Sequence, residues 1–109
     1  MTIKWVQIDP LVMNGEPFCY GSRLTVRQLL ELRRNGYDLP RLIKDHPELR
    51  TVGIAAAYSY AADHRDRYAG FFEPDGSLAG PGYTDADAAG LPEQLRLPGV
   101  VIKPAAAGG

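Results

Sequence analysis

Two periodicities divide the first half of this chain. Ile3 to Ile8 (Ile-Lys-Trp-Val-Gln-Ile) is rich in β-branched and aromatic residues and stops at Asp9-Pro10, which predicts a strand followed by a turn. Leu11-Val12-Met13 then runs into Asn14-Gly15, the strongest turn dipeptide in the sequence. Phe18, Cys19 and Tyr20, between Pro17 and Gly21, read as a second short strand; Pro17 lacks a backbone donor and suits an edge. From Thr25 the apolar spacing becomes helical. Val26, Leu29, Leu30 and Leu32 are expected inward, with Arg27, Glu31, Arg33 and Arg34 outward and Asn35-Gly36 as the stop.

A second, short helix is predicted from Asp38, an N-cap residue, with Leu39, Leu42 and Ile43 on its apolar side. Pro40 is tolerated in the first turn and His46-Pro47 closes the helix. Thr51 is expected to cap a third helix whose stripe is Ile54, Ala57, Tyr58 and Ala61. Two helices joined by a tight turn, preceded by a third, give a helix-turn-helix outline. Beyond Tyr68 glycine and proline recur, and Glu73-Pro74-Asp75-Gly76 is a turn. That segment cannot form a core alone. Its apolar residues, Phe71, Phe72, Tyr83, Leu91, Leu95, Leu97 and Val100-Val101-Ile102, predict a tail that docks on something.

The chain has 109 residues and a formal net charge of -1, which points to neither nucleic acid nor membrane by itself. The charge is uneven: residues 23 to 67 hold nine Arg or Lys against six Asp or Glu, and residues 68 to 109 hold two against five. Arg27, Arg33, Arg34, Arg41, Lys44, Arg50, Arg65 and Arg67 are the candidate phosphate surface, although acidic residues are interleaved. One cysteine cannot form an internal disulfide, and no apolar run has membrane-span length or heads a signal peptide, so a soluble cytoplasmic protein is expected.

Catalytic chemistry finds little support. His46 and His64 lack metal-ligand spacing, Cys19 sits mid-strand without a base, and Asp63, Asp66, Asp85 and Asp87 read as solvated charge. No enzyme activity, metal or cofactor is expected. Arg23 either bonds the carbonyls of the bend before it or contacts phosphate, Tyr58 belongs to the core stripe, and Tyr60 meets a second protomer or another partner.

Asp9-Pro10, Gly15-Glu16-Pro17, Gly21-Ser22-Arg23, Val26, Gly36, Pro47-Glu48-Leu49, Ile54, Ala56-Ala57 and Tyr60-Ala61 together resemble the domain-of-unknown-function 433 family over roughly residues 3 to 64. The resemblance implies a dimeric, helix-turn-helix-like module that serves as a VapB-like antitoxin beside a PIN-like ribonuclease toxin. Two departures stand out. Gly21-Ser22-Arg23 replaces the usual Gly-Thr-Arg, and Arg50, Thr51, Val52 and Gly53 stand where the family has a Thr cap with acidic residues, which favours an anionic partner at that helix start.

The expected fold is mainly α with a small β-hairpin: a tri-helical core in residues 1–68 and an irregular acidic tail in residues 69–109. The expected function is an antitoxin of a toxin-antitoxin pair. Arg27, Arg41, Lys44, Arg50 and Thr51 would hold operator DNA; Phe18, Cys19, Tyr20, Arg23 and Tyr60 would form a homodimer, with the Phe18–Tyr20 edge paired across a two-fold axis. Phe71, Phe72, Leu95, Leu97, Val100, Val101 and Ile102 would cover a cognate PIN-like toxin. Val100–Ile102 would add to a sheet edge, either the Ile3–Ile8 strand or one of the partner, so that deleting residues 96–109 leaves the dimer intact. The alternative is a homo-oligomeric interaction or regulatory module without DNA binding, its tail folded on its own core. The third helix favours it, having no Arg, Lys, Asn or Gln between Thr51 and Ala62.

Overall fold

The computed structural model describes residues 6–8, 15–19, 22 and 24–102. The predicted turn at Asp9-Pro10, the Leu11–Asn14 approach to Gly15, the strand residues 3–5, and Tyr20, Gly21 and Arg23 lie outside the described residues. Within them the fold is mainly α with a small hairpin. Strand β1 (Val6–Gln7) pairs antiparallel with β2 (Phe18–Cys19) in the register Val6 to Cys19 and Gln7 to Phe18.

Helix α1 (Val26–Arg34) begins where Thr25 folds back on it: Thr25 Oγ1 accepts from Gln28 N–H at 3.0 Å while Gln28 Oε1 accepts from Thr25 N–H at 2.9 Å. This reciprocal cap satisfies two otherwise orphaned donors and stabilises the start by about 1 kcal/mol. The helix stops at Gly36, whose φ of +97° a side chain would oppose. Helix α2 (Leu39–Asp45) is capped as expected by Asp38, which accepts from Arg41 N–H at 3.1 Å. Helix α3 (Thr51–Asp63) differs by one residue from the expected start. Arg50 holds the extended cap position, Thr51 is already helical, and no side chain caps the first turn.

α3 is the centre of the molecule. Gly53, Ile54, Ala55, Ala57, Tyr58 and Ala61 are buried, wider than the predicted stripe, because α1, both strands and a 3-10 turn at Glu93–Leu95 all pack on it. Small residues suit this helix, since backbones can approach it from several sides.

The predicted docking tail docks on these helices. After a 3-10 turn at Ala69–Phe71, Phe72 bridges to Leu78 around Gly76, whose φ is +90°. A one-turn helix α4 (Asp85–Ala88) is capped by Thr84 and Asp87. Tyr68, Phe71, Leu78, Tyr83, Ala88, Leu91, Val100 and Val101 are buried and belong to the same apolar cluster as Leu29, Ile54 and Tyr58. The composition break at residue 69 therefore marks a change to irregular backbone while the core continues across it. Among the described residues Val100–Ile102 makes no bridge to β1. Ile102 bridges in parallel to Tyr83, Tyr83 N–H donates to Val101 O at 2.8 Å, and Leu78 N–H donates to Gly99 O at 2.8 Å. The segment is not the short strand expected: Val100 and Val101 lie in a turn whose amides donate to Leu97 O, and among the described residues Ile102 alone of the three forms bridges, to Tyr83 and Pro98.

Candidate interaction surfaces

Most of the expected phosphate-binding arginines are engaged within the chain. Arg33, predicted outward on α1, is fully buried: its guanidinium donates to Val100 O and, at 3.3 Å, to Leu78 O, and lies 4.6 Å from the centre of the Tyr58 ring. Its Nε has no hydrogen-bond partner, and burial lowers its pKa. Arg27 stacks 5.2 Å from the Tyr68 ring and donates to Arg67 O, Arg34 lies over Phe71, Arg65 donates to Gly76 O at 2.9 Å beside Phe72, and Arg67 pairs with Glu16 at 3.2 Å. An arginine that covers an aromatic face and bonds carbonyls ties two segments together.

Of the expected DNA-binding residues, Arg41, Lys44, Arg50 and Thr51 are exposed, and Arg41 lies 4.0 Å from the Tyr37 ring centre. The three cations among them form no ion pair among the described residues. Arg27 is half-buried against the tail. The expected recognition helix presents Val52, Ala56, Ser59, Tyr60 and Ala62 as its partly accessible residues, with Thr51 and Asp63 exposed. None of these has the paired donors that read base edges.

The expected dimerisation residues divide. Cys19 is buried under α3, its thiol donating to Gly53 O at 3.4 Å, and burial pushes its pKa up to about 12, so it is no nucleophile at neutral pH. Burial likewise raises the phenol pKa values of Tyr58, Tyr83 and Tyr68. Phe18 is half-buried, and β2 is not the open edge that pairing across a two-fold axis needs. β1 lies on one side, while Cys19 N–H donates to Leu24 O and Val26 N–H to Pro17 O, both at 2.9 Å, on the other. Tyr60 remains accessible. It stacks on His64 with ring centres 4.1 Å apart, and His64 Nδ1 lies 2.9 Å from Tyr60 O.

Tyr60 also lines an open cleft of about 370 Å³ with Val6, Ile8, Ala56, Ser59, Asp63 and Leu95. Val6 and Ile8 share one face of an extended strand, and Ala56, Ser59, Tyr60 and Asp63 share one face of α3 by their spacing. Ile8 is the exposed large apolar residue among those described, at 57 %. Of the expected toxin-contacting residues, Phe71, Val100 and Val101 are buried in the chain's own core, and Phe72, Leu95, Leu97 and Ile102 are partly buried against it. Leu95 alone of these reaches the cleft. No group of three or more His, Cys, Asp or Glu among the described residues is arranged to hold a metal ion, and no helix there is long and apolar enough to cross a membrane.

These features define a small helical module with a hairpin at one edge and an arginine-bound C-terminal strap. Residues 6–61, just over half of the chain, match the family model described as "Protein of unknown function (DUF433)", and the chain belongs to that family. No curated protein matches it, and no solved structure does.

Proposed function

We propose that this chain is a non-enzymatic, cytoplasmic protein-binding module of the antitoxin kind, a homodimer that restrains a toxic partner such as a PIN-like ribonuclease by contact. The observation that carries the protein-binding part is the cleft between β1 and the outer face of α3, where exposed Ile8 stands beside Tyr60 and small Ala56 and Ser59. Apolar walls with one carboxylate, Asp63, resemble the centre of a protein interface more than a small-molecule site. Near-neutral net charge leaves self-association unopposed. Ile8→Asp and Ala56→Glu are expected to turn the dimer into monomer in light scattering with helicity unchanged. Unaltered dimers in both variants rule out this interface. Co-expression with the adjacent gene product tests the antitoxin part, and a harmless neighbour that never co-purifies overturns it.

A second reading, DNA contact through phosphates alone, is favoured by the exposure of Arg41, Lys44 and Arg50 without carboxylate partners among the described residues. Binding of this type is indifferent to sequence and weakens steeply with salt. In a gel shift, Arg50→Ala should reduce the salt slope by about 1, the contribution of one phosphate contact. An unchanged slope removes Arg50 from the contact.

A further inference from the structure

Arginines and aromatic rings alternate where the strap leaves α3 and passes α1. Arg34 lies 4.7 Å and Arg27 5.9 Å from the centre of the Phe71 ring, and Arg27 lies 5.2 Å and Arg67 5.8 Å from that of Tyr68. Arg34, Phe71, Arg27, Tyr68 and Arg67 therefore form one continuous row, with Arg65 beside it, 4.5 Å from the centre of the Phe72 ring. Tyr68 OH has no hydrogen-bond partner, so packing and the two cations hold its ring.

The row is more cationic than its sequence suggests. Glu31 stands four residues after Arg27 and three before Arg34, the spacing of helical ion pairs, yet it pairs with neither, because both guanidiniums turn to the rings. Among the described residues Arg27, Arg34 and Arg65 have no carboxylate partner, and Arg67 has Glu16. Arg27, Arg34 and Arg65 each donate one hydrogen bond, to the carbonyls of Arg67, Gly70 and Gly76 respectively, out of the five N–H groups a guanidinium carries. Arg34, Arg65 and Arg67 are exposed.

A guanidinium packed on a ring by one face keeps its other face and most of its donors for a ligand, and has already lost much of its rotamer freedom. Phosphate takes the donors in pairs, and an unstacked base takes the plane. We infer that this row binds single-stranded nucleic acid without regard to sequence, with phosphates on the arginine donors and bases against the open faces of Arg34 and Arg65. A single strand can bend along an irregular row and splay its bases outward, whereas the bases of a duplex stay stacked on one another. An acidic peptide would satisfy the charge and leave the planes unused. The row shares no residue with the β1–α3 cleft or with Arg41, Lys44 and Arg50, and does not depend on the function proposed for either.

The test is the fluorescence anisotropy of a short fluorescein-labelled oligothymidylate with the full chain over a range of salt. Arg34→Gln and Arg65→Gln together are expected to reduce the salt slope by about 1.4, two single-strand phosphate contacts at about 0.7 each. Arg41→Ala with Lys44→Ala should leave the slope unchanged. An abasic oligomer of the same length should bind the unaltered chain at least about fivefold more weakly, a comparison that reads stacking and needs no variant. Polyglutamate should compete less well than unlabelled oligothymidylate. No binding by the unaltered chain at low salt, an unchanged slope in the glutamine variant, a slope that falls in the alanine variant instead, equal binding of the abasic oligomer, or equal competition by polyglutamate overturns the proposal.

Discussion

Deleting residues 96–109 is expected to lower stability by about 3–6 kcal/mol, the contribution of fully burying two valine side chains. Val100 and Val101 are both buried, and Val100 O is an acceptor for Arg33, so the truncation opens the core and strips the guanidinium of a partner at once. A domain of this size has only about 5–15 kcal/mol to lose. Urea denaturation of the truncated chain should therefore show a much lower midpoint, with aggregation on warming. The burial of Val100 and Val101 sets this result against the expectation that deleting residues 96–109 leaves the dimer intact. An unchanged midpoint would mean that residues 96–109 contribute nothing to the folded state.

Arg33 should give the second large effect, in a form that separates volume from charge. Arg33→Ala leaves a cavity beside Tyr58 and two buried carbonyls without their donor, a combined loss of about 3–5 kcal/mol. Arg33→Met keeps most of the volume and removes a buried cation that no carboxylate among the described residues neutralises, and should stay within about 2 kcal/mol of the unaltered chain. Thermal or urea denaturation of the pair checks this. If methionine is as damaging as alanine, the hydrogen bonds to Leu78 and Val100 hold the strap and the burial of the charge is not a liability.

The helices were legible because their signals are local. Thr25 with Gln28, Asp38 before Pro40, and Asn35-Gly36 each fix one end through bonds to neighbours within four residues. Arg33 was misplaced although its spacing was informative: with Val26, Leu29 and Leu30 it completes a helical stripe at intervals of three, four and seven, and only its charge argued for solvent. Its true environment is set by Leu78 and Val100, 45 and 67 residues away, which no local pattern encodes. The Val100–Ile102 run was read as a strand from its β-branched residues, whereas its amides turn back onto Leu97 O and Ile102 alone bridges to Tyr83, a path set by how a Gly- and Pro-rich segment closes on itself. The cleft was half visible. Tyr60 was singled out as a contact residue, but Ala56 and Ser59 are too small to attract notice, and Ile8 was read only as the end of a strand.

The bonds from Arg33, Arg34 and Arg65 to the strap all end on carbonyl oxygens, at Val100, Leu78, Gly70 and Gly76. An attachment of that kind constrains the route of the backbone and says little about which side chains travel along it. Mutational tolerance in the strap is consequently uneven. Exposed positions such as Ala86, Ala89 and Gln94 are free to drift, while Gly80, against the Arg33 backbone, and the two buried valines set the alignment on which the Arg33 contacts depend.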